Sequence, residues 1–293
     1  VNNFRKAMYT IENEFLKVGV LQKGAELRSL VDKRTGFEWV WQADEYFWGK
    51  SSPVLFPIVG ALKGNKFIHD GNSYELPRHG FARDHDFQLL AFSTNKIMLE
   101  LVSDTKLKEN YPFDFSLCMT YELIDHKLEV SYRVQNRGNE QLYFSLGAHP
   151  AFNLPNNRGS LEGNYIEFLK DKILNRYFLR NNLLSADFTD VQLDSNRLYL
   201  NADTFQEDAW IIKTLQSDQI YLKSTHSHSM LRFAFENFSF FGVWSVPGSS
   251  FICLEPWAGL PDSEQHNGAL RDKEGIIRLD PRKNWSAKWS VNS

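Results

Sequence analysis

Two stretches of strict alternation, joined by a short turn, limit this chain more than any other feature. Phe113, Phe115, Leu117, Met119, Tyr121 and Leu123 share one parity, with Asp114 and Ser116 among the residues between them. After a turn at Asp125–His126, Leu128, Val130, Tyr132 and Val134 alternate with Glu129, Ser131 and Arg133. A period of two puts every second side chain on one face of a strand, whereas a helix would scatter the same residues around its surface. The stretch therefore predicts a hairpin of two long antiparallel strands with one buried face.

The same reading extends along the chain. Phe15–Val20, Ala25–Val31 and Phe37–Trp41 read as strands, and Asp44–Lys50 as one helical turn. Ser51–Lys66 is an apolar run broken by Pro53, Pro57, Gly60 and Gly64, which fits an irregular edge segment better than a central strand. Asp70-Gly71 signals a type I′ hairpin between Lys66–His69 and Ser73–Leu76. Asn156–Asp194 reads as a long excursion over one face, with one strand at Tyr165–Phe168. Trp210–Ile212, Ile220–Leu222, Leu231–Phe235, Phe240–Val246 and Phe251–Glu255 are further strands. Pro261–Gly275 reads as a polar loop before a last strand at Asn284–Val291. No amphipathic helix exceeds about two turns. The expected fold is all-β: one large antiparallel β-sandwich domain spanning residues 1–293, with few short helices.

Composition excludes several function classes. Of 293 residues, 42% are hydrophobic and 14% aromatic, which is ample for a large core. The formal charge is −3 and the basic residues are scattered, so no nucleic-acid partner is expected. The longest near-apolar run, Val54–Leu62, is interrupted by Pro57 and too short to span a bilayer. The first 25 residues carry charges throughout, unlike a secretory leader. A cytoplasmic protein with no membrane partner is the expectation. Cys118 and Cys253 each lie in an apolar strand pattern and read as buried reduced thiols. There is no phosphate-binding loop, dinucleotide fingerprint or nucleophile elbow. His226 and His228 have no further ligand at zinc spacing, so no metal and no cofactor are expected.

Three segments carry residues suited to proton transfer. In Leu142–Pro155 an apolar strand pattern runs through Gly147 into His149 and Pro150. An imidazole there can exchange a proton near neutral pH. Glu255 ends the strand Phe251–Glu255, shares a face with Phe251 and Cys253, and is followed by Pro256 and Trp257. An apolar setting raises a carboxyl toward the range useful for a general base. His79 lies in a basic, glycine-containing loop between Arg78 and Arg83. Each of the three also has a plain reading: a strand-end carboxylate in water, and loop histidines bonded to backbone.

Taken together, His-Gly-Phe-Ala-Arg at 79–83, His-Pro-Ala-Phe-Asn-Leu at 149–154 and Leu-Glu-Pro-Trp at 254–257 resemble the aldose 1-epimerase (galactose mutarotase) family. More closely, the chain resembles its galactose-mutarotase-related, LacX-like branch, near the hexose-6-phosphate mutarotases. The resemblance implies a β-supersandwich, no cofactor, and a hexose or hexose phosphate as the small-molecule partner. It implies Glu255 as the base and His149 as the acid that open and reclose the sugar ring. It further implies His79 and Asp208 as sugar-binding groups. Trp257 offers a face for a sugar ring. Arg83, with Arg78, offers a grip for a sugar phosphate or else forms structural ion pairs. Catalysis on this reading needs Glu255 and His149 on opposite sides of one pocket. The family often has an arginine near Gly60–Lys63, where this chain has Ala61 and Lys63. That departure leaves a rival reading: a non-catalytic sugar-binding or sugar-sensing protein on the same fold.

Overall fold

The expected hairpin lies inside the largest sheet. The computed structural model describes residues 8–155 and 160–293. In it Phe115–Ile124 pairs with Lys127–Asn136 from Phe115↔Asn136 to Ile124↔Lys127. Leu117, Met119, Tyr121, Val130 and Tyr132 are all buried, so the alternation reports one core-facing surface.

Edge to edge, that nine-stranded sheet runs Arg197–Tyr199, Asn164–Phe168, Gln219–Ser224, Met230–Glu236, Asn284–Asn292, Lys127–Asn136, Phe115–Ile124, Lys96–Val102 and Gln88–Phe92. The second sheet runs Leu183–Gln192, Ile173–Arg180, Trp210–Ile212, Phe240–Trp244, Phe251–Ala258, Leu146–Ala148 and Val54–Leu55. Ala151–Asn153 also pairs with Phe251–Ala258. The two sheets meet through aromatic side chains: Phe233 and Phe235 of the first pack on Phe241 of the second, with ring centroids 6.3 and 4.9 Å apart. A four-stranded sheet of Met8–Glu12, Leu16–Leu21, Leu27–Asp32 and Phe37–Glu38 flanks them. Lys66–His69 and Asn72–Glu75 form the hairpin expected at Asp70-Gly71. One α-helix, Thr105–Asn110, is present among the described residues, capped by the Asp104 carboxylate on the Leu107 N–H. No helix there is long and apolar enough to cross a membrane.

Local readings are refined by the structure, three of them as corrections. Asp44–Lys50 is a hydrogen-bonded turn, with Phe47 and Trp48 N–H both on the Asp44 carbonyl, and not a helix. Ser51–Lys66 is the irregular edge segment expected, with the short edge strand Val54–Leu55 and residues 51–62 buried throughout. The excursion holds a long hairpin, Ile173–Arg180 with Leu183–Gln192, around Asn181 and Asn182 at φ of 50° and 66°. Leu183–Gln192 is largely exposed and Ile173–Arg180 mostly half-buried, so their hydrophobic alternation is weak. The first residues of that excursion, Asn156–Gly159, lie outside the described residues. Within Pro261–Gly275, Asp262 and Lys273 are fully buried and bonded at 2.7 Å, so that loop is not simply solvated.

Candidate active site

The site is built on the strand Phe251–Ala258, buried at every position. Phe240–Trp244 flanks it on one side, with Gly242 opposite Glu255. On the other side a single run of chain pairs with it twice, through Gly147↔Trp257 and Ala151↔Cys253. That spacing sets His149 directly across from Glu255. Pro150 interrupts the ladder between them because it has no N–H to give, though its carbonyl still accepts from Leu254 N–H at 3.1 Å.

The consequence is a close carboxyl–imidazole pair. His149 Nε2 lies 3.3 Å from Glu255 Oε2, with the residues only 8% and 1% exposed. Burial pushes the Glu255 carboxyl well above the usual carboxylate range, and the Arg78 charge opposes that shift. Burial lowers His149 to about 3. Both shifts favour the neutral forms, a protonated Glu255 beside an uncharged His149. The two groups stand side by side on adjacent strands and not on opposite walls, contrary to the expectation from the sequence.

His79 comes from a loop clamped onto the buried edge segment. Its N–H donates to the Gly60 carbonyl, Phe56 N–H donates to its carbonyl, and Phe81 and Ala82 N–H donate to the Phe56 carbonyl. These bonds hold His79 at φ 69°, a conformation that a side chain resists unless its surroundings enforce it. Gly80 follows at φ 70°, and a Cβ there would sit 2.2 Å from the Phe56 oxygen. Gly80→Ala is therefore expected to cost at least about 2 kcal/mol, from left-handed strain and overlap together. Equilibrium unfolding in denaturant would read this as a lower midpoint.

The His79 ring meets two N–H groups: Gly60 N is 3.1 Å from Nδ1 and Arg78 Nε is 3.2 Å from Nε2. Burial, reinforced by His149, Arg78 and Arg83, keeps this imidazole well below its ordinary pKa and so neutral. A neutral ring accepts at only one nitrogen. The backbone donor is fixed and takes Nδ1. Nε2 then carries the hydrogen, and the Arg78 side chain is the partner free to turn toward a ligand.

These groups border a cavity of about 300 Å³, the lower end of small-molecule pockets. His149, Glu255, His79, Arg83 and Trp257 all line it. Trp257 lies over Gly242 and against Gly147, whose missing side chains make room for the indole. Asp208 is not among the lining residues: its neighbour Ala209 lines the cavity, and its own Oδ1 accepts from Ala209 N–H at 2.8 Å. Lys63 is turned away, with Nζ on the Glu264 carbonyl at 2.8 Å. The cavity cation comes instead from Arg78, which bonds Asn182 Oδ1 at 3.0 Å and meets no carboxylate within ion-pair distance among the described residues. Arg83 bonds the Arg78 carbonyl at 2.8 Å and lies 3.8 Å from Asp84.

The lining residues that sequence reasoning missed include Trp48, Trp244, Leu179 and Asn182. Trp48 stacks on His149 with centroids 4.9 Å apart, and Trp244 meets the same ring edge-on at 5.7 Å. Leu179 and Asn182 come from the exposed hairpin, whose signal was the Asn181-Asn182 turn.

Known proteins share this architecture and sequence. The profile of the family described as aldose 1-epimerase matches residues 7–277. Protein LacX (plasmid) of Lactococcus lactis subsp. lactis is 32% identical over 284 residues, covering 92% of this chain and 94% of its own. The crystal structure of a galactose mutarotase related enzyme from Lactobacillus acidophilus superposes with a TM-score of 0.92 at 32% identity, covering 98% of this chain and 97% of its own. A galactose mutarotase-like protein from Lactobacillus casei gives a TM-score of 0.92 at 30% identity, covering 98% and 99%.

Proposed function

The chain belongs to the aldose 1-epimerase family, in its LacX-like branch, and from that premise we propose that it interconverts the α and β anomers of a hexose or hexose phosphate. The observation that carries this reading is the buried His149–Glu255 pair, 3.3 Å apart and facing an aromatic cavity.

Anomer exchange requires one proton to leave the C1 hydroxyl and another to reach the ring oxygen. Both oxygens are bonded to C1, so an acid and a base that are neighbours suit them. Glu255 as carboxylate takes the hydroxyl proton, the bond from C1 to the ring oxygen breaks, and His149 as imidazolium protonates that oxygen. The products on the protein are a neutral carboxyl and a neutral imidazole, the forms that burial favours. The aldehyde rotates about C1–C2. His149 then removes the proton from the former ring oxygen, which attacks the other face of C1, and Glu255 returns its proton. The two neutral-charge tautomers of the pair thus serve the two halves of the cycle. Each proton transfer is worth about 10²–10⁴-fold. Trp257 and Trp48 offer faces to sugar C–H groups. His79 Nε2–H and Asp208 supply hydrogen bonds to oxygens.

Arg78 and Arg83 favour a phosphorylated sugar, since Arg78 has a guanidinium facing the cavity and no carboxylate partner among the described residues. Arg78→Ala is expected to raise KM for glucose 6-phosphate about 10–100-fold, the loss of one charge-assisted contact. KM for glucose should move only a few-fold. Exchange NMR on the anomeric protons tests both the reaction and this split; equal losses on the two sugars would remove the phosphate reading.

A further inference from the structure

The acid–base pair has a third neighbour. Cys253 precedes Glu255 by two residues on one strand, so their side chains leave the same face. One ligand atom from each of His149, Cys253 and Glu255 lies within 4.8 Å of the other two, and all three residues are buried. Cys253 is unpaired. Glu255 Oε2 is a buried polar atom without a hydrogen-bond partner, facing His149 Nε2. A buried acceptor of this kind is costly unless something completes it.

We propose that His149, Cys253 and Glu255 form a three-ligand site for a thiophilic divalent cation of the Zn²⁺ type. The fourth position opens toward the cavity, for water or a sugar hydroxyl. Two ligands held about 2.0–2.1 Å from Zn²⁺ at a tetrahedral angle stand about 3.3–3.4 Å apart. The imidazole and carboxylate atoms are already at 3.3 Å. The thiolate selects the metal class: Mg²⁺ and Ca²⁺ demand oxygen ligands, while sulfur with imidazole suits Zn²⁺ or Co²⁺. On binding, the Cys253 thiol and the Glu255 carboxyl each release a proton and His149 stays neutral, so two negative ligand charges balance the cation. The metal then occupies the lone pairs that proton transfer needs. Metal and catalysis exclude each other, and this regulatory consequence rests on the proposed mutarotase reading. The site itself does not.

The test is titration of the chelator-treated full chain with Co²⁺ alone. The expected result is one equivalent bound, with a near-ultraviolet thiolate-to-cobalt charge-transfer band and tetrahedral d–d bands that Zn²⁺ erases. Cys253→Ser should lose the charge-transfer band, and Cys118→Ser should keep it. Glu255→Gln should weaken binding by at least about 10-fold, since even an outer-shell partner is worth that much. Should the serine variant not fold, Cys253→Ala carries the same test. Absence of the band in the wild type, or its survival without Cys253, overturns the site. Because the readout is spectroscopic, that outcome leaves the mutarotase reading standing, and a cobalt band in an inactive protein would separate the two in the other direction.

Discussion

Glu255→Gln is expected to reduce catalysed anomer exchange by about 10²–10⁴-fold while making the fold more resistant to unfolding at alkaline pH. The amide keeps the shape of the carboxyl but cannot take the C1 hydroxyl proton. The stability effect follows from linkage. Burial raises the Glu255 pKa in the folded chain above its unfolded value. The neutral carboxyl therefore contributes stability that is fully present below the unfolded pKa and is lost as pH rises through the folded one. Glutamine has no such loss. The variant and the wild type should melt together near pH 4, and the variant should gain as pH rises beyond the ordinary carboxylate range. His149 moves in the opposite sense. Its depressed value of about 3 means that stability present above its unfolded pKa, near 6.5, declines as pH falls toward 3. Thermal melts across pH in chelator-containing buffer, paired with anomer exchange, check both halves. Lost activity with lower stability at every pH would mark Glu255 as a structural group.

Lys273→Met should carry the largest stability loss, about 3–5 kcal/mol. Lys273 and Asp262 are fully buried and bonded at 2.7 Å. Burial alone would push Lys273 toward neutrality, and Asp262 holds the charge in place. Removing the lysine leaves Asp262 with the Lys63 N–H at 2.9 Å and the His266 ring nitrogen, no nearer than 3.9 Å. Asp262 also accepts through its carbonyl from Leu184 N–H and donates its own N–H to Ala61. The pair thus ties the segment carrying Gly60 to Pro261 and to the tip of the hairpin carrying Asn182, all of which line the cavity. Denaturant unfolding measures the loss. Asp262→Leu combined with Lys273→Met should recover most of it, because two apolar side chains leave no uncompensated charge. A double variant as unstable as the single one would mean that packing, not the charge, sets the cost.

Much of the fold was legible because one face of each central strand is buried. The alternation through Phe115–Asn136 translates directly into register, and Asp70-Gly71 into a two-residue turn. The hairpin Ile173–Gln192 was not legible, since neither face is steadily covered and the hydrophobic period fades. Glu255 was readable as a carboxylate on an apolar strand. Its distance from His149 was not: it depends on the pairing of chain segments about a hundred residues apart, which no local pattern encodes. Trp48 and Trp244 are ordinary apolar residues in sequence and became cavity walls only through packing. Asp262 and Lys273 read only as parts of a polar loop, because a single sequence does not show a partner eleven residues away. The missing arginine at Ala61 weighed against substrate binding in the sequence. In the structure a cation reaches the cavity from Arg78 on another loop.

The most direct measurement is exchange NMR of the anomeric protons of galactose, glucose and glucose 6-phosphate with the wild-type protein. Acceleration of exchange on at least one sugar, rising linearly with protein concentration and absent in Glu255→Gln, is the expected result. Sugar that binds in the cavity yet exchanges no faster than in buffer would contradict the assignment of His149 and Glu255 as a proton-transfer pair.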